Sequence, residues 1–285
     1  MSATNSNPEI AYIFDVDGVL TNLVDREVVD ESLINEIIKL LENKIPVGLI
    51  TGRSIPWVRK NVLDILIEKI KHKMDLKRLM VIGEKGGTWL VFDKHGNSSF
   101  RKAKFYISKR LERNIKRVIE NKYSDVVQFD DSKRTMITAE MKYGYDLNSF
   151  TKKQKEMIQD FQKIILDTKI KNLRVESTSI AVDVESIYFA KPFSIEKFLG
   201  FLRKRKIYPK KFITFGDSKS DFEMADELER RGKKVEMIYV GDREKLGEVD
   251  KDYPVEYIGG FTKGTLEYLQ RQTRILETNA TPRAF

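Results

Sequence analysis

An apolar strand that ends in two carboxylates constrains this chain more than any other feature. The run AYIFDVDGVLTN begins at Ala11 and places Asp15 and Asp17 one residue apart, directly before Gly18. Its apolar residues predict a buried strand, and the glycine permits a sharp turn where the strand ends. Ligands of open α/β sheets bind at the carboxyl ends of strands. The pair therefore indicates a metal site, or a nucleophile beside an acid that transfers protons.

Two other interpretations of Asp-x-Asp-Gly have to be compared with this one. A calcium loop needs glycine at its sixth position and glutamate at its twelfth. Here the glycine is fourth and the twelfth residue is Arg26, so the spacing disfavours a calcium loop. An acidic turn that merely closes a strand stays open for this segment taken alone.

Further apolar segments repeat an alternation of helix and strand. Residues 31–44 carry leucine and isoleucine at helical spacing, and short strands begin near Pro46 and Arg78 on either side of a second helix. The alternation returns with strands that begin at Lys211 and Val235. Such a pattern is typical of a parallel sheet with crossover helices. The sequence therefore predicts an α/β fold with a Rossmann-like parallel-sheet core.

Residues 87–187 depart from this alternation. Strands are predicted for TWLVFD from Thr88 and for alternating segments from Thr135 and Leu173, with helices between them. Alternating strands form sheets with one half-exposed face, which suits an α+β arrangement. We therefore expect a core domain formed by residues 1–86 and 188–285 and an inserted α+β cap domain at 87–187.

The second strand ends in Thr51-Gly52-Arg53-Ser54, which suits a phosphate group. Thr51 offers a hydroxyl donor, Gly52 a free backbone amide and Arg53 a cation. Lys191 precedes a predicted helix, and its charge would lower the repulsion between an aspartate and a phosphate. Thr51, Gly52, Arg53 and Lys191 are therefore the predicted phosphate-binding or substrate-binding residues.

A second acidic turn follows the strand that begins at Lys211. It contains Asp217 and, four residues later, Asp221. With Asp15 and Asp17, these residues place four carboxylates at the carboxyl ends of strands in one predicted sheet. Carboxylates gathered at one edge can converge on a hard cation that prefers oxygen ligands. The sequence therefore predicts a metal site at this edge.

In order and spacing, these motifs resemble those of the haloacid dehalogenase superfamily of aspartate-nucleophile phosphohydrolases. Asp15–Thr21 matches Asp-x-Asp-Gly-x-x-Thr, Thr51 matches the second motif, and Gly216–Asp221 matches Gly-Asp-x-x-x-Asp. Lys191 is assigned to the third motif by its position before a helix, with Lys197 as its competitor. The insert resembles the type IIB cap, and Thr-Gly-Arg-Ser resembles the form found in sugar-phosphate phosphatases.

The resemblance implies a phosphatase with an aspartyl-phosphate intermediate. It implies that Asp15 attacks the phosphorus, and that Asp17 protonates the leaving group and then deprotonates a water. It also implies a Mg²⁺ cofactor held by Asp15, the backbone carbonyl of Asp17 and Asp217, with Asp221 acting through water or behind the direct ligands. The expected partner is a small phosphorylated metabolite, with sugar phosphates as the favoured class.

Four residues stay open at this point. Related capped phosphatases often carry asparagine where Ser220 stands and glycine where Pro192 stands, so the effect of both departures is open. Arg53 and Lys85 lie either near the substrate entrance or among ordinary surface charges.

Composition limits the other classes of function. The 285 residues can bury a full core, and the absence of cysteine excludes disulfides and thiolate sites. No apolar run approaches the roughly 20 residues of a membrane span, and the polar first segment lacks signal-peptide features, so a cytoplasmic location is expected. The net charge of +9 would suit polyanions, but the basic clusters are not interleaved with aromatic residues. Solvated helix faces are favoured over a nucleic-acid site.

Two alternatives to a phosphatase stay open. Phosphomutases of the phosphomannomutase type share the two-aspartate motif and the cap type. A non-catalytic basic binding protein could keep the fold, although the carboxylates at all four positions argue against it. Turnover of a simple phosphate ester would separate an enzyme from a binding protein. The oligomeric state is not predicted.

Overall fold

The strands of this protein form two sheets, seen in a computed structural model that describes residues 8–22, 31–168 and 170–280. The strands are β1 (Ile10–Asp15), β2 (Val47–Ile50), β3 (Leu79–Gly83), β4 (Thr88–Phe92), β5 (Ser98–Lys102), β6 (Val127–Phe129), β7 (Ile137–Met141), β8 (Leu173–Ser177), β9 (Ala181–Ser186), β10 (Lys211–Gly216), β11 (Lys234–Tyr239) and β12 (Val255–Tyr257). The helices are α1 (Glu31–Glu42), α2 (Ile55–Val58), α3 (Asp64–Lys69), α4 (Lys109–Lys122), α5 (Leu147–Thr168), α6 (Lys191–Lys204), α7 (Phe222–Arg230), α8 (Arg243–Leu246) and α9 (Thr262–Ala280).

The larger sheet has the strand order β12-β11-β10-β1-β2-β3-β4-β5. Its strands from β12 to β3 are parallel, whereas β4 pairs antiparallel with both β3 and β5. Successive side chains of a strand point to opposite faces. Tyr12 and Phe14 of β1 accordingly join one core, while Ala11 and Ile13 join the other. This arrangement confirms the predicted α/β fold with a Rossmann-like core.

Helices cover both faces of this sheet. α1 and α9 supply Leu33 and Leu269 to the core on the Tyr12 face, and α6 and α7 supply Phe198 and Leu228 to the opposite core. Polar groups therefore reach the central strands mainly at the strand ends. Within the described ranges, no helix combines the length and apolarity needed to cross a membrane.

The smaller sheet is antiparallel throughout, with the order β6-β7-β9-β8. Apolar side chains on one face, including Ile137 and Val184, form a third core with α4 and α5. The intervening residues Glu140, Asp183 and Glu185 belong to the other face and contact loops of the larger sheet. This confirms an inserted α+β unit, with a polar face turned toward the α/β core.

The hairpin of β4 and β5 belongs to the larger sheet, which corrects the expectation that TWLVFD lies in the insert. Leu90 joins the core on one face of that sheet, and Trp89 packs against the core on the other face. Burial on both faces fixes the strand there. We therefore move the proposed first boundary of the insert from residue 87 to the segment between Lys102 and α4. The proposed second boundary, at 188, lies between β9 and α6.

Candidate active site

Three carboxylates meet at the carboxyl ends of β1 and β10. Asp15 is the last residue of β1, Asp217 directly follows β10, and Asp221 lies in the short turn after it. One carboxylate oxygen from each lies within 4.8 Å of the others. β1 and β10 pair in parallel with Phe14 opposite Phe215, so the two strand ends lie side by side. The structure thus brings together three of the four predicted carboxylates.

Glycines allow the acidic turns to approach so closely. Gly18 has a φ of +75°, and a Cβ added there would overlap the Asp217 carboxylate. A Cβ added at Gly216 would overlap the Asp221 side chain. Gly18 is therefore needed for the contact between the two turns, and Gly216 for the close packing of Asp221 within the second turn.

Asp221 is buried and holds the second acidic turn in place. Its Oδ2 accepts hydrogen bonds from the backbone amides of Asp217 at 3.0 Å and Ser218 at 2.8 Å, and from the Ser218 hydroxyl at 2.8 Å. Ser220, one of the two departures from related sequences, has its hydroxyl 3.0 Å from that of Ser218. Asp221 is thus suited to positioning Asp217, and Ser220 contacts the turn itself.

Lys191 places its ammonium group within the acidic cluster. Its Nζ donates to Asp15 Oδ1 at 2.7 Å and also to Asp221 Oδ1. Pro192 lies in the first turn of α6, where a missing amide costs no helical hydrogen bond. The competitor, Lys197, instead lies 4.5 Å from the centres of two aromatic rings, those of Trp89 and Phe193. The fold therefore brings Lys191, and not Lys197, to Asp15.

Burial makes the ionised forms of the clustered carboxylates costly. It raises the pKa of Asp15, although the charge of Lys191 opposes this shift. Burial, and then the charge of Asp15, raise the pKa of Asp217 to about 7. A divalent cation stabilises neighbouring carboxylates whose ionisation is otherwise disfavoured. Asp15 and Asp217 are therefore a donor set that fits Mg²⁺.

The loop after β2 lies next to Asp15, because Asp15 pairs with Ile50 in the sheet. Thr51 is buried, and its Oγ1 accepts a hydrogen bond from the backbone amide of Arg53 at 3.0 Å. The Gly52 carbonyl accepts a hydrogen bond of 2.7 Å from Nζ of Lys133 in the insert. The predicted phosphate-binding loop thus lies beside the acidic cluster and contacts the smaller domain.

Arg53 contacts carboxylates of both domains. Its Nε lies 3.0 Å from Oδ1 and 3.1 Å from Oδ2 of Asp17, and its Nη2 lies 2.9 Å from Oδ1. Its Nη1 donates to Glu140 on β7, and the guanidinium lies 4.6 Å from the centre of the Trp57 ring. The Asp17 side chain is thus turned to Arg53 and outside the three-carboxylate cluster. Its metal contact through the backbone carbonyl stays a prediction.

Further contacts between the domains join Lys85, left open by the sequence, to acidic residues that the sequence alone did not identify. Nζ of Lys85 lies 2.7 Å from Oε2 of Glu185 and 3.4 Å from Oδ2 of Asp183, so Lys85 is bound to the insert. The sequence does contain a pattern that could have identified these acids. Along β7 and β9, Glu140, Asp183 and Glu185 alternate with apolar residues. Such alternation predicts a polar sheet face, and only the fold shows that this face meets the core.

Comparisons with known proteins agree with the motifs. The C-terminal domain of C. albicans trehalose-6-phosphate phosphatase has a similar structure, with a TM-score of 0.70, 13% identity and 94% of each chain covered. For the Aspergillus fumigatus trehalose-6-phosphate phosphatase the TM-score is 0.55, at 13% identity and with 94% of each chain covered. The ATP-bound Plasmodium falciparum IMP-nucleotidase has a TM-score of 0.57 and 15% identity, with 98% of this chain and 62% of that chain covered.

These likenesses, at such low identities, concern the fold alone. A comparison with curated protein sequences gives no match. The model of the haloacid dehalogenase-like hydrolase family matches residues 12–196, which include the two-aspartate motif, the phosphate loop, the insert and Lys191. The chain therefore belongs to the haloacid dehalogenase-like hydrolases, as its motifs predicted.

Proposed function

We propose that this protein is a phosphatase that hydrolyses the phosphate monoester of a small metabolite, with Mg²⁺ as its cofactor. The observation that carries the proposal is the position of Asp15. It lies at the end of a central parallel strand, with Nζ of Lys191 2.7 Å from its Oδ1 and with Asp217 and Asp221 beside it. A carboxylate in these surroundings is suited to attack phosphorus, because the cation lowers its repulsion from the phosphoryl group.

The first half-reaction transfers the phosphoryl group to the enzyme. An oxygen of Asp15 forms a bond to phosphorus while the bond from phosphorus to the leaving oxygen breaks. Asp17 gives its proton to that oxygen, which leaves as an alcohol. The Thr51 hydroxyl, the Gly52 amide and the Lys191 ammonium group donate hydrogen bonds to the phosphoryl oxygens.

The second half-reaction restores the enzyme. The Asp17 carboxylate takes a proton from water, whose oxygen bonds to phosphorus as the bond to Asp15 breaks. Orthophosphate leaves, and Asp17 carries the proton for the next cycle. Asp15, Asp217 and the backbone carbonyl of Asp17 would hold Mg²⁺, and Asp221 would position Asp217. When bound, the metal supplies positive charge that stabilises the transferring phosphoryl group.

Sugar phosphates are the favoured substrate class. The Thr51–Ser54 loop after β2 carries the sequence Thr-Gly-Arg-Ser, which resembles the form found in sugar-phosphate phosphatases. Two kinds of protein with similar folds are named for trehalose 6-phosphate and for IMP, so a sugar phosphate and a nucleotide both belong in the test.

The test is release of orthophosphate from trehalose 6-phosphate, glucose 6-phosphate, 3-phosphoglycerate, IMP and p-nitrophenyl phosphate, with Mg²⁺ or with EDTA. We expect release with Mg²⁺ from at least one ester, loss of release in EDTA, and loss in Asp15→Asn. The matched control is Asp64→Asn, which removes an exposed carboxylate 3.4 Å from Arg59.

Release by Asp15→Asn at the wild-type rate would refute the assignment of the nucleophile. Wild-type enzyme that hydrolyses no ester, but isomerises a sugar phosphate when a bisphosphate is added, would favour the phosphomutase. Binding of a polynucleotide without any turnover would favour the basic binding protein.

A further inference from the structure

We infer that Arg53 is a positioning residue, through which Glu140 of the insert orients Asp17 as the base of the second half-reaction. The inference rests on the proposed function. It gives Arg53 a different task from the phosphate contact that its sequence motif predicted.

The contacts of Arg53 determine the direction of the Asp17 carboxylate. Oδ1 of Asp17 accepts hydrogen bonds from two nitrogens of the guanidinium at 3.0 and 2.9 Å, and Oδ2 accepts one at 3.1 Å. A planar guanidinium that engages both oxygens fixes the rotation of the carboxylate as well as its position. Asp17 is therefore held in one orientation for as long as Arg53 stays in place.

The same contacts suit the step in which Asp17 acts as a base. A guanidinium has only hydrogen-bond donors, and both Asp17 oxygens face nitrogens of Arg53. The base that deprotonates the hydrolytic water is a carboxylate, and both oxygens of a carboxylate accept hydrogen bonds.

Arg53 is itself held by the insert. Its third nitrogen, Nη1, donates to Glu140, and the side chains of Arg53 and Glu140 are only 11% and 13% exposed. Glu140 lies on β7, which has a neighbouring strand on each side, so its backbone is fixed by the sheet. The Arg53–Asp17 contact therefore depends on the insert being seated on the core.

The consequence is a link between the position of the insert and the second half-reaction. With the insert seated, Glu140 anchors one side of the guanidinium and the other side orients Asp17. With the insert displaced, Arg53 loses that anchor and Asp17 loses its fixed direction. Water would then be activated efficiently only while the smaller domain covers the site.

The test compares Glu140→Met with Lys133→Met. Each variant removes one polar contact between the insert and the Thr51–Ser54 loop, but Lys133 contacts only the Gly52 carbonyl there and not Arg53. With p-nitrophenyl phosphate, whose p-nitrophenolate group leaves without help from an acid, kcat/KM reports formation of the aspartyl-phosphate, whereas kcat also includes its hydrolysis. We expect Glu140→Met to lower kcat about tenfold and to leave kcat/KM within about twofold, because only base catalysis is impaired.

Acid quenching should show more phosphoryl-enzyme at steady state in Glu140→Met than in the wild type, and no such increase in Lys133→Met. Two results would contradict the inference: an equal fall of kcat and kcat/KM in Glu140→Met, or the same accumulation of phosphoryl-enzyme in Lys133→Met. Either would show that the kinetic change comes from a displaced insert and not from the orientation of Asp17 by Arg53. Glu140→Gln, which keeps the shape and one acceptor, should change kcat in the same direction by less. Thermal unfolding of each variant identifies any loss of fold.

Crystal structures of the two Met variants supply a second measurement that needs no turnover. Arg53 should leave Asp17 in Glu140→Met and remain in Lys133→Met. Unchanged contacts of Arg53 with Asp17 in Glu140→Met would overturn the inference. If the wild type hydrolyses no ester, the proposed function fails, and the crystal structures still decide whether Glu140 holds Arg53 on Asp17.

Discussion

The ammonium group of Lys191 lies 2.7 Å from Oδ1 of Asp15, although 176 residues separate the two in sequence. The whole insert lies between them, and α6 returns the chain to the core at Lys191. The same ammonium group contacts Asp221, so one cation links the ends of β1 and β10. Lys191 thus joins the two acidic turns into one site.

Replacement of this cation should abolish most of the activity. We expect Lys191→Met to lower kcat/KM for the best ester by about 100-fold or more, because it removes the charge that we propose stabilises the transferring phosphoryl group. Lys197→Met is the matched control, since Nζ of Lys197 lies over the Trp89 and Phe193 rings. Steady-state kinetics of both variants test this expectation. Equal losses in the two variants would contradict it.

A methyl group at Gly18 should disturb the acidic cluster. Gly18→Ala would place its Cβ against the Asp217 carboxylate, so we expect phosphatase activity and the stabilisation of the protein by Mg²⁺ to be lost. Gly144 has the same φ of +75° with nothing within 4 Å of an added Cβ. Gly144→Ala should therefore show only the backbone strain, about 1 kcal/mol of unfolding free energy, and keep full activity. Full activity in Gly18→Ala would be evidence against the close packing of these turns.

The metal-free protein should lose stability as the pH rises from about 4 to about 7. Burial and the charge of Asp15 raise the pKa of Asp217 to about 7 in the folded protein. Within that window the folded protein retains a proton that the unfolded chain has released, so the free energy of unfolding falls with increasing pH. Unfolding temperatures measured in EDTA should show this fall in the wild type and a smaller one in Asp217→Asn.

Mg²⁺ should reverse this loss above pH 7, because it binds the ionised carboxylates of the folded protein only. The rise in unfolding temperature on addition of Mg²⁺ should disappear in Asp217→Asn and shrink below pH 7, where protons compete with the metal. An undiminished rise in Asp217→Asn would place the metal elsewhere.

Glu84 should stabilise the junction between the core and the insert. Its buried carboxylate accepts hydrogen bonds from the amides of Arg134 and Thr135 at 2.9 and 2.6 Å, and from the hydroxyls of Thr135 and Thr88. Glu84→Ala leaves these donors without their acceptor, so we expect a loss of about 2 to 4 kcal/mol in unfolding free energy. Thr88→Val removes one donor and should cost less. Urea denaturation tests both changes, and equal losses would contradict the assignment.

Much of the α/β core could be predicted from local pattern. The strand that begins at Ala11 is buried on both faces of the parallel sheet. A strand buried in this way is almost continuously apolar, so it can be recognised in the sequence. The hairpin of β4 and β5 was misplaced because its strands carry the same local signals in either domain. Which sheet it joins depends on its pairing with β3, a contact that composition does not encode.

The sequence by itself determined the family and the motifs in which the predicted site residues stand. Asp15, Asp217 and Lys191 stand in motifs whose order and spacing are visible without a structure, because strand ends and helix starts are local features. Only the tertiary structure decided how the two domains meet there. The contacts of Arg53 with Asp17 and Glu140 join residues 36 and 87 positions apart, and such contacts arise from the relative placement of two sheets rather than from any local pattern.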